Sequence, residues 1–302
     1  FRPQIIHLQG AQHPALYMLL WAMLRLLGSA SFVYTPQDVL PNSLRPYHIR
    51  AFRFLYARMR HVFLNAKQNE PLVVEHFAVP RDRITVLPIA DLTAFVREHV
   101  AGEPPDIPAA SRVVLCFGLI EPRKGIHTLL SAAPEVLRQV PDALLLIVGK
   151  PLMDIAPLQR QLTDLGLQER VRLVPQYVSF AQMAGYFTAA RLLVLPYENG
   201  WNSGVLASAF GFGKPVIATR VGGFDEVVSD ESTGLLVPPK DPAVLAQAIV
   251  RLLRDDVLYA RMVTNVRQAA AEISWEAIAR ITAARYADVV GIGADCAVSQ
   301  AR

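Results

Sequence analysis

The sequence predicts an α/β protein built on parallel sheets, and three observations carry that expectation. Short apolar runs alternate with segments of helical periodicity along most of the chain, which is how β-α-β units read. The runs at 113–119, 143–148 and 192–195 are apolar throughout, as parallel strands covered on both faces require. A length of 302 residues corresponds to about two domains. The proline- and charge-rich stretch 102–108 is the expected divide. Residues 1–108 are then one domain and 109–274 a second, with 275–302 a terminal helix and tail packing back on the first.

The first domain opens on a strand at 5–8, followed by a helix near 14–27 and a strand at 31–35. Nothing introduces the opening strand, so the natural protein is expected to extend upstream and this domain to be incomplete. A basic helix over 45–60 follows, then strands at 62–65 and 84–88. In the second domain the alternation is cleaner. Strands at 113–119, 143–148, 171–174, 192–195 and 215–218 each lead into a turn or helix, and 234–237 closes the series. Helices are expected at 125–139, 157–165, 180–189, 204–212, 242–253 and 275–290.

Apolar residues make up 52% of the chain and charged residues 19%, which excludes global disorder. Two cysteines, Cys116 and Cys296, exclude a disulfide framework and a cysteine metal cluster. Cys116 lies inside an apolar run and reads as a buried strand residue, a usage that fits a reducing cytoplasm. The longest apolar stretch, 16–27, is about a dozen residues and holds Arg25, whereas a membrane span needs ~20. Charge is uneven: residues 1–100 hold 11 Lys and Arg against 6 Asp and Glu, and the rest hold 19 against 20. Much of the excess lies in 45–60, where Arg50, Arg53 and Arg60 share a helical side opposite Phe52, Leu55 and Tyr56. Two readings of that stretch stand, an ordinary solvated helix face and a peripheral contact with an anionic membrane at its cytoplasmic face. Nucleic acid is not among the expected partners.

Open α/β sheets bind ligands beyond the carboxyl ends of their strands, so the strand-to-helix turns matter most. In Gly118-Leu119-Ile120-Glu121-Pro122-Arg123-Lys124-Gly125 a strand ends, two cations follow and a helix starts. An arginine and a lysine there suit an anion, one by bidentate hydrogen bonds and one as a point charge. In Tyr197-Glu198-Asn199-Gly200-Trp201-Asn202-Ser203-Gly204-Val205-Leu206 a polar loop feeds a helix whose first N–H groups have no helical partner. The alternative for this loop is a plain turn with Ser203 as helix cap. The turn at 218–226 carries the pair Gly222-Gly223.

Taken in order, Gly118…Lys124-Gly125, Gly149, Pro196…Ser203-Gly204-Val205, Gly213-Lys214-Pro215 and Gly222-Gly223…Glu226 resemble the retaining glycosyltransferases of family 4. The resemblance extends over roughly residues 1–290 and is strongest from Gly118 to Glu226. It implies the GT-B fold, two Rossmann-like domains with parallel sheets. It also implies transfer of a sugar from a nucleoside-diphosphate sugar to a glycan or lipid-linked acceptor, with retention, as in polysaccharide assembly, and with no cofactor or metal. Arg123 and Lys124 would hold the donor diphosphate, and the backbone of Ser203, Gly204, Val205 and Leu206 its distal phosphate and sugar. Gly118, Asn202 and Ser208 join the substrate-binding positions.

The chain departs from the family at several points. Gly200 and Ser208 stand where two glutamates are usual, and Glu198 is the carboxylate that would grip sugar hydroxyls instead. In Thr35-Pro36-Gln37-Asp38 a glutamine replaces the usual histidine; Asp38 either orients an acceptor hydroxyl or caps the following turn. A catalytically degenerate GT-B protein that binds a nucleotide or a partner is therefore the alternative. A dehydrogenase is disfavoured, since no Gly-x-Gly-x-x-Gly follows a strand.

Overall fold

The computed structural model describes residues 2–10, 14–37, 39, 46–90, 93, 106–108, 110–200 and 203–291. The chain divides into two compact units, 1–88 with 276–302, and 89–275. Ile89 and Ile107 both pack against the core of the second unit, which is why its first boundary falls ahead of the 102–108 stretch.

The first unit is a four-stranded parallel sheet in the order β1 (Ile5–Gln9), β2 (Ser31–Thr35), β3 (His61–Leu64) and β4 (Ile84–Val86). Pairings such as Val33 with His61 and Val62 with Ile84 set its register. Helices α1 (Pro14–Leu27), α2 (Pro46–Arg58) and α3 (Glu70–Phe77) alternate with the strands. Side chains along a strand point alternately to opposite faces. Phe32, Tyr34, Val62 and Leu64 accordingly meet Phe52, Leu55 and Tyr56 of α2 and Val73 and Phe77 of α3. Val33 and Phe63, on the other face, meet Ile278, Tyr286 and Val289. Those three belong to the helix Trp275–Val290, which therefore packs on the first unit. Among the described residues no helix is long and apolar enough to cross a membrane.

The second unit holds six parallel strands: β5 (Arg112–Phe117), β6 (Ala143–Val148), β7 (Val171–Val174), β8 (Leu192–Leu195), β9 (Val216–Thr219) and β10 (Gly234–Val237). Their order in the sheet is β10-β9-β8-β5-β6-β7. The chain thus runs outward from β5 through β6 to β7, then returns to β8 on the other side of β5. Helices α4 (Ile126–Gln139), α5 (Ala156–Asp164), α6 (Phe180–Ala189), α7 (Gly204–Gly211), α8 (Phe224–Val227), α9 (Pro242–Arg254) and α10 (Asp256–Glu272) make the crossovers and the closing layer, and α11 is Trp275–Val290.

Alternation again sorts the core into two faces. Val114, Cys116, Leu145 and Ile147 face Leu129, Ala133 and Val136 of α4 and Leu245, Ile249 and Leu252 of α9. Val113, Leu115, Leu144 and Leu146 face Met183 and Phe187 of α6, Phe210 of α7 and Val266 of α10. Local signals start the helices. The Ser179 hydroxyl accepts the Gln182 N–H at 3.3 Å while Gln182 reaches back, a reciprocal cap on α6. Asp241 and Asp255 cap α9 and α10 through the N–H groups of Val244 (3.0 Å) and Leu258 (2.8 Å). Lys214 of the Gly-Lys-Pro segment closes α6 from the other end, donating to Thr188 O (2.9 Å) and Ala190 O (2.7 Å).

Leu115 lies in β5 between β6 and β8 and is fully buried. Leu115→Ala should cost about 2–5 kcal/mol in a urea titration, the range for a leucine removed from a packed core.

Candidate active site

The strand order reverses between β5 and β8, and a crevice at the carboxyl ends of such a strand pair is where open α/β sheets hold ligands. The two turns singled out by sequence leave these two strands. Gly125 and Gly118 let them close on one another, and Gly149 after β6 brings a third turn against Gly118. Gly125 has φ +62°, and a Cβ there would lie 1.9 Å from Pro196 O. A Cβ on Gly149 would lie 1.8 Å from Gly118 O, and one on Gly118 3.3 Å from Val205 Cγ2. Only glycine permits backbones this close.

The cations sit in this junction. Pro122–Lys124 form one 3-10 turn that ends at Gly125. Glu198 N–H donates to Arg123 O at 2.8 Å, so the second turn hangs on the first. Arg123 pairs with Glu121 at 2.6 Å, and its side chain stays 44% exposed. Lys124 is buried, with Nζ 3.7 Å from the centroid of the Tyr197 ring. Burial, and secondarily the neighbouring Arg123 guanidinium, pulls its ammonium down to about 8. Tyr197 is itself fixed: Thr219 donates to its carbonyl at 2.6 Å, and Phe224 packs on its ring at 5.1 Å.

Ser203 begins α7, its hydroxyl 3.4 Å from Leu206 N and 3.2 Å from Tyr197 Oη. It is therefore a helix cap, as the alternative reading of this loop expected. Ser203 O accepts the N–H groups of Leu206 and Ala207, and the N–H groups of Gly204 and Val205 have no partner among the described residues. Ser208 is buried and donates back to Gly204 O at 2.7 Å within the helix. Gly118, Arg123, Lys124, Ser203, Gly204, Val205 and Leu206 are thus brought together, with Ser208 one turn behind them. Asp38 and Asn202 lie outside the described residues.

Glu198 is held from two sides. His127 Nε2 of α4 is 2.9 Å from its Oε1, and Lys240 Nζ is 3.1 Å from its Oε2. A cavity of about 290 Å³ lies here, lined by His127, Thr128, Ser131, Glu198, Lys240 and Pro242. His127 and Lys240 escaped the sequence reading. His127 is three residues beyond Lys124, a helical spacing that could have drawn attention, whereas nothing local marks Lys240. Among the described residues no three His, Cys, Asp or Glu side chains converge as a metal site needs.

Residues 111–255 match the family model of glycosyl transferases group 1. This segment, most of the second unit, belongs to the group 1 glycosyltransferases. The chain is 38% identical over 174 residues to a phosphatidyl-myo-inositol mannosyltransferase of Mycobacterium leprae, covering 57% of this chain and 45% of that protein. A D-inositol 3-phosphate glycosyltransferase of Corynebacterium efficiens is 30% identical over 236 residues, 74% of this chain and 55% of its own length. The chain spans about half the length of these relatives. Among solved structures, sucrose-phosphate synthase from Thermosynechococcus elongatus superposes with a TM-score of 0.73 at 26% identity, over 95% of this chain and 74% of that one. HepE from Anabaena, crystallised with UDP, superposes at 0.78 and 21% identity, over 94% and 79%. The fold is GT-B-like, with a Rossmann-like sheet in each unit.

Gly125→Ala meets both a left-handed φ, which costs an alanine about 1–2 kcal/mol, and the Pro196 carbonyl. Its Tm should fall by several degrees, and any anion held at the junction should bind more weakly. The Lys124 ammonium, titrating near 8 in the folded chain and higher in the unfolded one, penalises folding while charged. Its contribution to stability therefore improves as pH rises from about 8 towards the ordinary lysine value. Anion affinity at the junction runs the other way and should decline above pH 8, with Lys124→Met removing that inflection.

Proposed function

We propose that the protein is a retaining glycosyltransferase that moves a sugar from a nucleoside-diphosphate sugar to a glycan or lipid-linked acceptor. The observation that carries this reading is the junction at the β5/β8 crevice, where Arg123, Lys124 and the outward N–H groups of Gly204 and Val205 share one small region. As the glycosidic bond breaks, negative charge gathers on the departing diphosphate. Fixed cations and backbone dipoles already aimed at that place stabilise it without reorganising. In this reading the charge is met by protein groups rather than a metal, and a donor phosphate oxygen serves as base, which is how the sugar keeps its configuration. The relatives named for phosphatidyl-myo-inositol and D-inositol 3-phosphate make inositol-bearing acceptors the first to assay. Asp38 is the proposed partner of the acceptor hydroxyl, and Asn202 joins the donor contacts.

A second reading, a nucleotide- or partner-binding module without turnover, draws on Gly200 and the internally bonded Ser208 at the positions where glutamates are usual. Calorimetry with UDP, GDP and ADP on the wild type and on Arg123→Ala/Lys124→Ala separates the outcomes. One nucleotide should bind to the wild type, and affinity should drop at least a hundredfold in the double variant. Thermal melting of both proteins serves as the folding control. Unchanged binding in a folded double variant would remove these residues from the donor site. Binding without sugar transfer to any inositol or glycan acceptor would favour the second reading.

A further inference from the structure

We propose that Glu198 is a positioning residue: with His127 and Lys240 it forms a clamp that holds residues 196–200 against Arg123 and Lys124. The inference rests on the donor-site reading above and gives this carboxylate a task other than gripping sugar hydroxyls. Oε2 lies 3.1 Å from Lys240 Nζ, Oε1 lies 2.9 Å from His127 Nε2 as an ion-pair neighbour outside hydrogen-bond geometry, and the side chain is only 18% exposed. Its partners come from separate elements, the first turn of α4 and the residue just before the Asp241 cap of α9. The backbone of the same residue donates to Arg123 O. One residue therefore joins the cationic turn, α4 and the start of α9.

Lys240 adds a second observation. Its φ is +60°, a conformation that side-chain-bearing residues rarely adopt and that glycine would take without strain. A lysine in that place is explained if its ammonium is needed where the backbone delivers it, at Glu198. The clamp also accounts for the small cavity, which His127, Lys240 and Glu198 bracket with the hydroxyls of Thr128 and Ser131.

The informative variants are Glu198→Ala and Lys240→Gly, the second of which relieves backbone strain while deleting the ammonium. In the ligand-free protein, the Glu198 amide, which reports the bond to Arg123 O, should exchange with solvent at least tenfold faster in both variants, with the amides of β9 unchanged. Lys240→Gly should melt no lower than the wild type, so a simple loss of stability would not produce this pattern. With whichever of UDP, GDP and ADP the wild type binds best, both variants should lose about tenfold in affinity, and the double variant no more than either single one. Wild-type exchange in both variants would overturn the clamp, and so would a loss confined to the sugar nucleotide with the bare diphosphate bound normally. If the wild type binds none of the three nucleotides, the donor-site reading fails on its own, and the exchange measurement still decides whether the clamp exists.

Discussion

Everything proposed for the second unit depends on one close approach, the backbone of Gly125 against the carbonyl of Pro196. Two strand-to-helix turns normally keep a side chain's width between them. Here the missing Cβ lets the turn after β8 lie directly on the turn after β5. Arg123 O then receives Glu198 N–H, Tyr197 presents its ring to Lys124, and the first turn of α7 comes within van der Waals reach of Gly118. The reversal of strand order at β5 and β8 supplies the crevice; the glycines decide how tightly its walls meet.

Much of this was legible in the sequence. Unbroken apolar runs located nearly every strand, because strands covered on both faces cannot alternate. The Arg-Lys-Gly and Ser-Gly-Val turns were legible for the same reason, since each sits where an apolar run gives way to polar residues and glycine. Helix α10 leaves little trace in the sequence: of its 17 residues only Leu258, Met262 and Val266 are buried, so its apolar stripe is a single thin line. Helix α3 is as faint, with only Val73 and Phe77 buried among its eight residues, although Pro71 in its first turn is an ordinary starting signal. The environment of Glu198 was beyond reach. His127 and Lys240 lie far from it along the chain in opposite directions, and only the folded sheet brings them to one carboxylate.

Charge is handled differently at the two cations. Arg123 keeps Glu121 as a partner and remains half in water, where an ion pair contributes little to stability. Lys124 is shut in against an aromatic face, with its proton held less firmly than usual. Such a desolvated ammonium interacts more strongly with an approaching anion than an exposed one, because less water screens it. The stability forgone by burying Lys124 and the binding expected of it are two sides of one placement.

Helix α11 has a consequence for how the protein comes into being. The sheet face formed by Val33 and Phe63 is covered by Ile278, Tyr286 and Val289, residues that leave the ribosome after the whole of the second unit. Domains usually mature in the order they are translated. Here the earlier sheet must wait, one side bare, while the later unit, continuous in sequence, completes its own core first. The nascent chain therefore exposes this apolar face until its last helix is made, and a stop codon shortly before Trp275 would leave it permanently open.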